Sequence, residues 1–213
     1  MASQPYFIPY QEARSEVEHL RSRFIATVSS ASETEEARQF IKKIKKEFPD
    51  ASHHVPAYII GGGKNRIDYC SDDGEPSGTS GRPVLTVLQG SGLGDVVVVV
   101  TRYFGGTLLG TGGLVKAYTD ATQRVLERVE KAIWGQMDLC SVNITYPYYE
   151  RVKILLAKAE CSNLQEVFSE EVTISFEIAA DRLEAFRNTL TEMTAARVKV
   201  EVIGHAVRKV PVR

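Results

Sequence analysis

Two stretches of this chain concentrate the residue types that chemistry needs. The first, Ser71-Asp-Asp-Gly-Glu-Pro-Ser-Gly-Thr-Ser-Gly-Arg82, sets three carboxylates, Asp72, Asp73 and Glu75, within four positions. Clustered oxygens suit a hard cation, but the spacing fails the EF-hand loop, and no metal is expected. The Gly/Ser/Thr half of the stretch, up to Arg82, offers backbone N–H groups at a helix start, a seat for an anion; capping accounts for Thr79 and Ser80 equally well. The second stretch, Thr101-Arg-Tyr-Phe-Gly-Gly-Thr-Leu-Leu-Gly-Thr-Gly-Gly-Leu-Val-Lys-Ala-Tyr118, runs from an apolar strand through glycines into a helix. Nucleotide folds cradle phosphate with that topology. Their motifs fail here: Lys116 follows Val115 rather than the last glycine, and Gly110-x-Gly112 runs on to Val115 where a dinucleotide fingerprint needs glycine. What remains is Arg102 and Lys116 for phosphate, Tyr103 for stacking, and the N–H groups of Gly105, Gly106, Gly112 and Gly113 for close approach, a set suited to gripping RNA. The competing reading has Tyr103 and Phe104 straddle the strand, one of them in the core, with the glycines making tight turns. His53 and His54 are adjacent, so on a strand their rings point to opposite faces and cannot hold one ion together. One is expected to be packed and the other available, toward Asp72 or Asp73. No GxSxG, HExxH or Cys/His nucleophile arrangement is present, so no catalytic residue and no cofactor is assigned.

The elements that must position these groups can be read from periodicity. Val96–Val100 is an unbroken β-branched run, and a strand over Val96–Tyr103 with both faces buried follows. Arg23–Ser29 reads as another strand. Ser32 with Glu35 caps a helix that places Ala37, Phe40, Ile41, Ile44 and Phe48 on one face and Arg38, Lys42, Lys43, Lys45 and Lys46 on the other, until Pro49 ends it. His54–Ile60 and Arg66–Ser71 form a strand pair around Gly61-Gly62-Gly63. A short helix opens at Thr79-Ser80 and stops by Gly90 and Gly92, and a long helix runs from Leu114 with Ala117, Tyr118, Ala121 and Val125 inward.

The second half alternates cleanly. Cys140 to Tyr146, Val172 to Ile178 and Val198 to Val202 read as half-buried strands, Leu164–Phe168 as a weaker one, and Val152–Ala159 and Leu183–Met193 as amphipathic helices. The order is βαββαβ, the ferredoxin-like unit. Its open sheet face, with Ser141, Asn143, Thr145, Thr173, Ser175, Glu177 and Lys199, is expected to meet solvent or a protein partner. Glycine marks the division: 14 of the 16 glycines precede residue 135. The expected domains are 1–134 and 135–213, both α+β.

Composition sets outer limits. The 213 residues carry 26 Lys+Arg against 27 Asp+Glu, a net charge of -1, which argues against a domain held to nucleic acid by bulk electrostatics and makes any such binding local. No apolar run approaches the roughly 20 residues of a membrane span, and the N-terminus shows no export signal, so a cytoplasmic protein is expected. Cys70, Cys140 and Cys161 form no CxxC pair and read as reduced thiols.

The runs SDDGEPSGTSGRPVL and VVVVVTRYFGGTLLGTGGLVKAY, with SRFIA and HHVPAY before them, closely resemble the signature of the IMPACT/YigZ family, and the match extends from Ser22 to Val129. The resemblance implies that the first domain has the left-handed βαβ fold shared with a small-subunit ribosomal protein and with domain IV of elongation factor G. It implies that the second, matched by pattern, is similar to the ferredoxin-like domain V of that factor. It brings no established catalytic residues, and the link to translation that it implies rests on fold analogy. The expected function is a non-enzymatic RNA- or ribosome-associated protein acting in translation or its regulation. Its surface would join Arg102, Tyr103, Gly105, Gly106 and Lys116 to the loop from Asp72 to Arg82, with one of His53 and His54 nearby. On that reading Arg102→Ala weakens RNA binding at little cost in stability. Two alternatives stand beside it: an enzyme acting on a phosphorylated small molecule or peptide through Asp72, Asp73 and the glycine-rich loop, and an adaptor that uses the open sheet face around Lys199.

Overall fold

The computed structural model describes residues 6–62 and 66–212, so the last glycine of the Gly61-Gly62-Gly63 turn lies outside the described residues. The chain forms two compact units, Met1–Ile133 with Val210–Arg213, and Trp134–Lys209.

The N-terminal unit is built on a five-stranded antiparallel sheet in the order β2 (Ala13–His19), β3 (Ser22–Ser30), β6 (Val96–Tyr103), β4 (His53–Ile60), β5 (Ile67–Cys70). The β-branched run becomes the central strand because it can lie buried on both sides, as its neighbour β4 also does. Val96, Val98 and Val100 pack with α2 (Gly81–Gly90) and α3 (Gly110–Leu126), while Val97 packs with Tyr58, Ile60 and Ala37 of α1 (Thr34–Glu47). Burial of side chains of this size stabilises by roughly 1.5–3 kcal/mol each, so β6 is a well-anchored platform for the residues at its end. β3 and β4 both run antiparallel to β6 from its two sides, hence parallel to each other, and α1 connects them. A two-residue strand, β1 (Ile8–Pro9), pairs with Lys131 and Ala132 at the start of β7 (Lys131–Ile144).

Three expectations shift here. α3 begins at Gly110, four residues before Leu114, so Gly112 and Gly113 lie in its first turn and not in a loop. Ser32 closes the start of α1 through Glu36, whose carboxylate accepts from the Ser32 N–H at 2.7 Å and hydroxyl at 2.9 Å; Glu35 is not the partner. β2 was not expected at all. As an edge strand it buries little, and Ala13-Arg-Ser-Glu-Val-Glu-His19 carries almost no apolar alternation to announce it.

The C-terminal unit follows βαββαβ: β7, then α4 (Tyr149–Lys158) after a 3-10 turn at Tyr146–Tyr148, β8 (Ser162–Phe168), β9 (Val172–Ala179), α5 (Leu183–Thr194) and β10 (Glu201–Pro211). The strand order is β10-β7-β9-β8. Cys140, Val142, Ile144, Val172, Ile174, Phe176 and Ile178 face α4 and α5, as alternation requires. The last strand departs from expectation: Val198 and Val200 precede it, because α5 ends at the left-handed residues Ala195 (φ 49°) and Ala196 (φ 61°), and extended pairing resumes only at Glu201. Lys199 therefore precedes β10, and Thr145 lies just past β7, which ends at Ile144, so both are off the strands that were expected to carry them.

Candidate functional site

The sequence signature converges on one side of the β6–α3 connection. The carboxylate loop 71–80, the end of β6 and the start of α3 enclose a cleft of about 480 Å³ lined by His53, Gly74, Glu75, Pro76, Arg102, Phe104, Leu108, Leu109, Gly110, Thr111 and Leu114. Its deep wall is an ion pair. Arg102 is 5% exposed, and its guanidinium donates to both oxygens of Glu75 at 2.7 and 3.0 Å. Tyr118 donates its hydroxyl to Glu75 Oε1 at 2.7 Å, and burial followed by that carboxylate pushes the phenol well above its ordinary pKa. The Arg102 guanidinium also stands 5.5 Å from the Phe24 ring and 5.6 Å from the Phe104 ring, so it is held by two aromatic faces as well as by its counter-ion.

This overturns the role expected of Arg102. A guanidinium already spent on a buried carboxylate is a wall of the site, not a free phosphate hook. Tyr103 cannot join it either, since neighbours on a strand face opposite ways. Tyr103 lies beneath the Arg23 guanidinium at 4.8 Å and donates to Asp50 at 2.9 Å. Lys116 is exposed, but it follows the cleft-lining Leu114 by two residues, about 200° around the helix, and so faces away. Arg82 is exposed on the first turn of α2 and is not among the residues lining the cleft.

The three carboxylates go three separate ways. Asp72 accepts from the N–H groups of Gly78 (2.8 Å), Ser80 (3.1 Å) and Gly81 (2.8 Å), so the anion seat expected at the start of α2 is filled by the chain itself. Burial raises the Asp72 pKa, but the three N–H bonds outweigh it and hold the carboxyl below the usual range. Asp73, at φ 47°, accepts from the His54 N–H and from Lys45, both at 2.7 Å, and its carbonyl accepts from His53 Nδ1 at 2.8 Å. Neither Asp72 nor Asp73 is placed as the acid or base of the enzyme alternative. Among the described residues, no group of three or more His, Cys, Asp and Glu side chains is arranged to hold a metal ion.

The histidines divide as strand geometry demands. His54 is packed, its Nε2 2.9 Å from the Phe48 carbonyl, while His53 borders the cleft with Nε2 3.9 Å from Glu75 Oε2. A carbonyl only accepts, so Nδ1 of His53 carries hydrogen, and in the neutral ring Nε2 keeps a lone pair on the cleft side.

The glycines separate as well. A Cβ on Gly105 would sit 2.1 Å from the Arg21 carbonyl, so this residue exists to let two backbone segments touch. Gly106 (φ 83°) supplies the turn after the strand, and Gly112 is unhindered. The expected surface thus contributes His53, Glu75 and Arg102 to the cleft, while Tyr103, Lys116, Asp72, Asp73 and Arg82 stand outside it. Phe104 (48% exposed), Leu108 (85% exposed) and Thr111 were missed as site residues. The available signal was Phe104 and Leu108, large apolar side chains in a polar, glycine-flanked connection that no core could absorb.

On the open face of the C-terminal sheet, Arg208 grips Glu177 at 2.9 and 3.1 Å and holds its carboxyl below the usual range, and His205 Nδ1 lies 2.7 Å from Asp138. Ser141, Thr173 and Ser175 remain half-exposed there. Cys70, Cys140 and Cys161 are free thiols. No helix among the described residues is long and apolar enough to cross a membrane.

Comparison with known proteins places both halves. Residues 20–126 match the Impact N-terminal domain, and residues 142–197 match a domain of unknown function, DUF1949. The chain is 37% identical to an IMPACT family member of Haemophilus influenzae over 93% of its length and 97% of the relative's. It is 34% identical to the family member YvyE of Bacillus subtilis, covering 92% and 90%, and 31% identical to YigZ of Escherichia coli, covering 86% and 90%. The crystal structure of a hypothetical protein is similar with a TM-score of 0.60 at 29% identity, over 95% of this chain and 99% of that one.

Proposed function

Because this chain belongs to the IMPACT family, we propose that it is a non-enzymatic protein of translation or its regulation that associates with RNA or the ribosome through its N-terminal unit. The observation that supports this reading is the cleft itself. The segments that make up the family signature fold around one hollow with an exposed aromatic ring, Phe104, at its edge, and the start of a long helix, Gly110 and Thr111, beside it. Recognition of single-stranded RNA rests on such parts: a ring for an unstacked base and backbone N–H groups for phosphate. Stacking moves from Tyr103 to Phe104, and phosphate contact moves from Arg102 to backbone N–H groups.

Co-sedimentation of the protein with ribosomes and with bulk RNA across a salt series tests it. Binding that weakens steadily as salt rises, and that drops in Phe104→Ala, is the expected result. Absence of binding at low salt, or binding indifferent to Phe104→Ala, overturns it.

A further inference from the structure

The densest run of positive charge in the N-terminal unit lies outside the cleft, on α1. Arg38-Gln-Phe-Ile-Lys-Lys-Ile-Lys-Lys46 sets five cations in nine positions, with no acid between Glu36 and Glu47. Ala37 and Ile44 are buried, so the opposite side of the helix, where Lys42 and Lys46 stand one turn or about 6 Å apart, faces away from the core. The charges around these two are already engaged. Lys43 binds Glu12 at 2.6 Å, Lys45 binds Asp73 at 2.7 Å, Glu47 is held by Arg14 at 2.8 Å, and Arg38 lies 3.9 Å from Glu35. Lys42 and Lys46 are exposed and have no ion-pair partner among the described residues. Alignment with the helix dipole accounts for the basic last turn, Lys45 and Lys46, but not for Lys42, a turn earlier. Two hydrogen-bonded links join this face to the cleft. Lys45 grips Asp73, whose carbonyl accepts from His53 Nδ1 at the cleft border. Past the helix, Ser52 donates its N–H to the Arg102 carbonyl and accepts from the Phe104 N–H, so the chain leaving α1 runs beside the aromatic edge.

Building on the RNA association proposed above, we infer that this face of α1 is a phosphate track for single-stranded RNA. A strand with an unstacked base against Phe104 continues along α1, with phosphates on Lys46 and then Lys42. Ammonium groups with three rotatable donors on flexible stems suit such a track, since they meet phosphate without demanding one fixed geometry. Charge alone calls for a polyanion; the exposed ring where the track begins has a use for a base, which RNA carries and an acidic peptide does not.

The test is fluorescence anisotropy of a labelled, mixed-sequence single-stranded RNA with the full chain across a salt series. Each phosphate contact on a single strand contributes about 0.7 to the slope of log affinity against log salt. The double variant Lys42→Gln, Lys46→Gln should therefore flatten the slope by about 1.4 and weaken binding roughly 25-fold at about 0.1 M salt. Glutamine forms helix about as well as lysine and neither side chain is paired, so the variant should melt with the parent. Lys116→Gln, exposed on α3 and turned away from the cleft, should leave the slope as it is, and Phe104→Ala should lower affinity at an unchanged slope. An unchanged slope in the double variant, or an equal flattening in Lys116→Gln, overturns the track while the RNA reading stands. A parent that binds no RNA at low salt overturns both. If that parent binds poly-glutamate and the double variant does not, the face belongs to an acidic protein instead.

Discussion

Arg102→Ala is the substitution on which the sequence and the structure disagree most. With a solvent-exposed phosphate hook, stability would hardly change. In the structure, both partners of the Glu75–Arg102 pair are buried, with side chains 3% and 7% exposed. Truncating Arg102 leaves a carboxylate in the protein interior with the Tyr118 hydroxyl as its remaining close donor. Breaking one side of a buried pair costs about 3–5 kcal/mol. Loss of the stacking on Phe24 and Phe104 adds about 0.5–1 kcal/mol for each ring. Together, for a unit of this size, that corresponds to a fall of roughly 15–25 °C in melting temperature. The lone tryptophan, Trp134, belongs to the other unit, so its fluorescence is the wrong probe. Hydrogen exchange at the β6 amides Val97–Val100 reads the N-terminal unit directly. The companion is the double variant Glu75→Gln, Arg102→Met, in which the amide still accepts from Tyr118 and no charge is buried. It should be more stable than Arg102→Ala. An Arg102→Ala protein within about 1 kcal/mol of the parent, or a double variant whose loss equals the sum of its singles, would refute the buried-pair account.

Asp72→Ala removes the acceptor of three N–H groups and should cost about 1–3 kcal/mol at neutral pH. The folded-state pKa of this carboxyl is depressed, so its contribution is present above the ordinary carboxylate value of about 3.9 and is lost as pH falls through the folded value. Urea titrations of parent and variant should therefore differ at pH 7 and converge toward pH 3; a difference that grows in acid contradicts the assignment. Gly105→Ala and Gly112→Ala should move stability in opposite directions. The first forces a methyl group into the Arg21 backbone and costs at least about 1–3 kcal/mol, whereas the second meets no atom within 4 Å and gains up to about 1 kcal/mol of helix propensity. Equal melting temperatures for the two would count against the close approach at Gly105.

Where the sequence sufficed, burial made pattern and structure the same fact. Val96–Val100 could only be a strand covered on both faces, and Val172, Ile174, Phe176 and Ile178 could only face helices. Where it failed, the missing information was a pairing. Nothing in the spacing of Glu75 and Arg102, 27 positions apart, says that they meet, and a buried ion pair reads as two surface charges until its partner strands are placed. The edge strand β2 failed for the opposite reason, having too little buried surface to impose a period. One error was avoidable: the parity that sends His53 and His54 to opposite faces sends Arg102 and Tyr103 apart as well, so those two could never have shared a surface.

The distribution of charge in the signature bears on how the site can be attacked. Asp72 is committed to the turn before α2, Asp73 to His54 and Lys45, Glu75 to Arg102 and Tyr118. Glu75 lies in the cleft wall while Asp72 and Asp73 stand outside it, and none of the three is free to meet a ligand, so charge substitutions there lower stability and binding together and do not distinguish the two. What is left facing the hollow is a ring, a histidine nitrogen and a row of backbone N–H groups. Phe104 is 48% exposed and His53 is a quarter exposed, so both can be truncated without opening the core. A loss of binding in those two variants, with protection along β6 lowered by no more than about 1 kcal/mol, the size of the lost Arg102–Phe104 contact, is the pattern that separates recognition by this site from the stability of the unit that carries it.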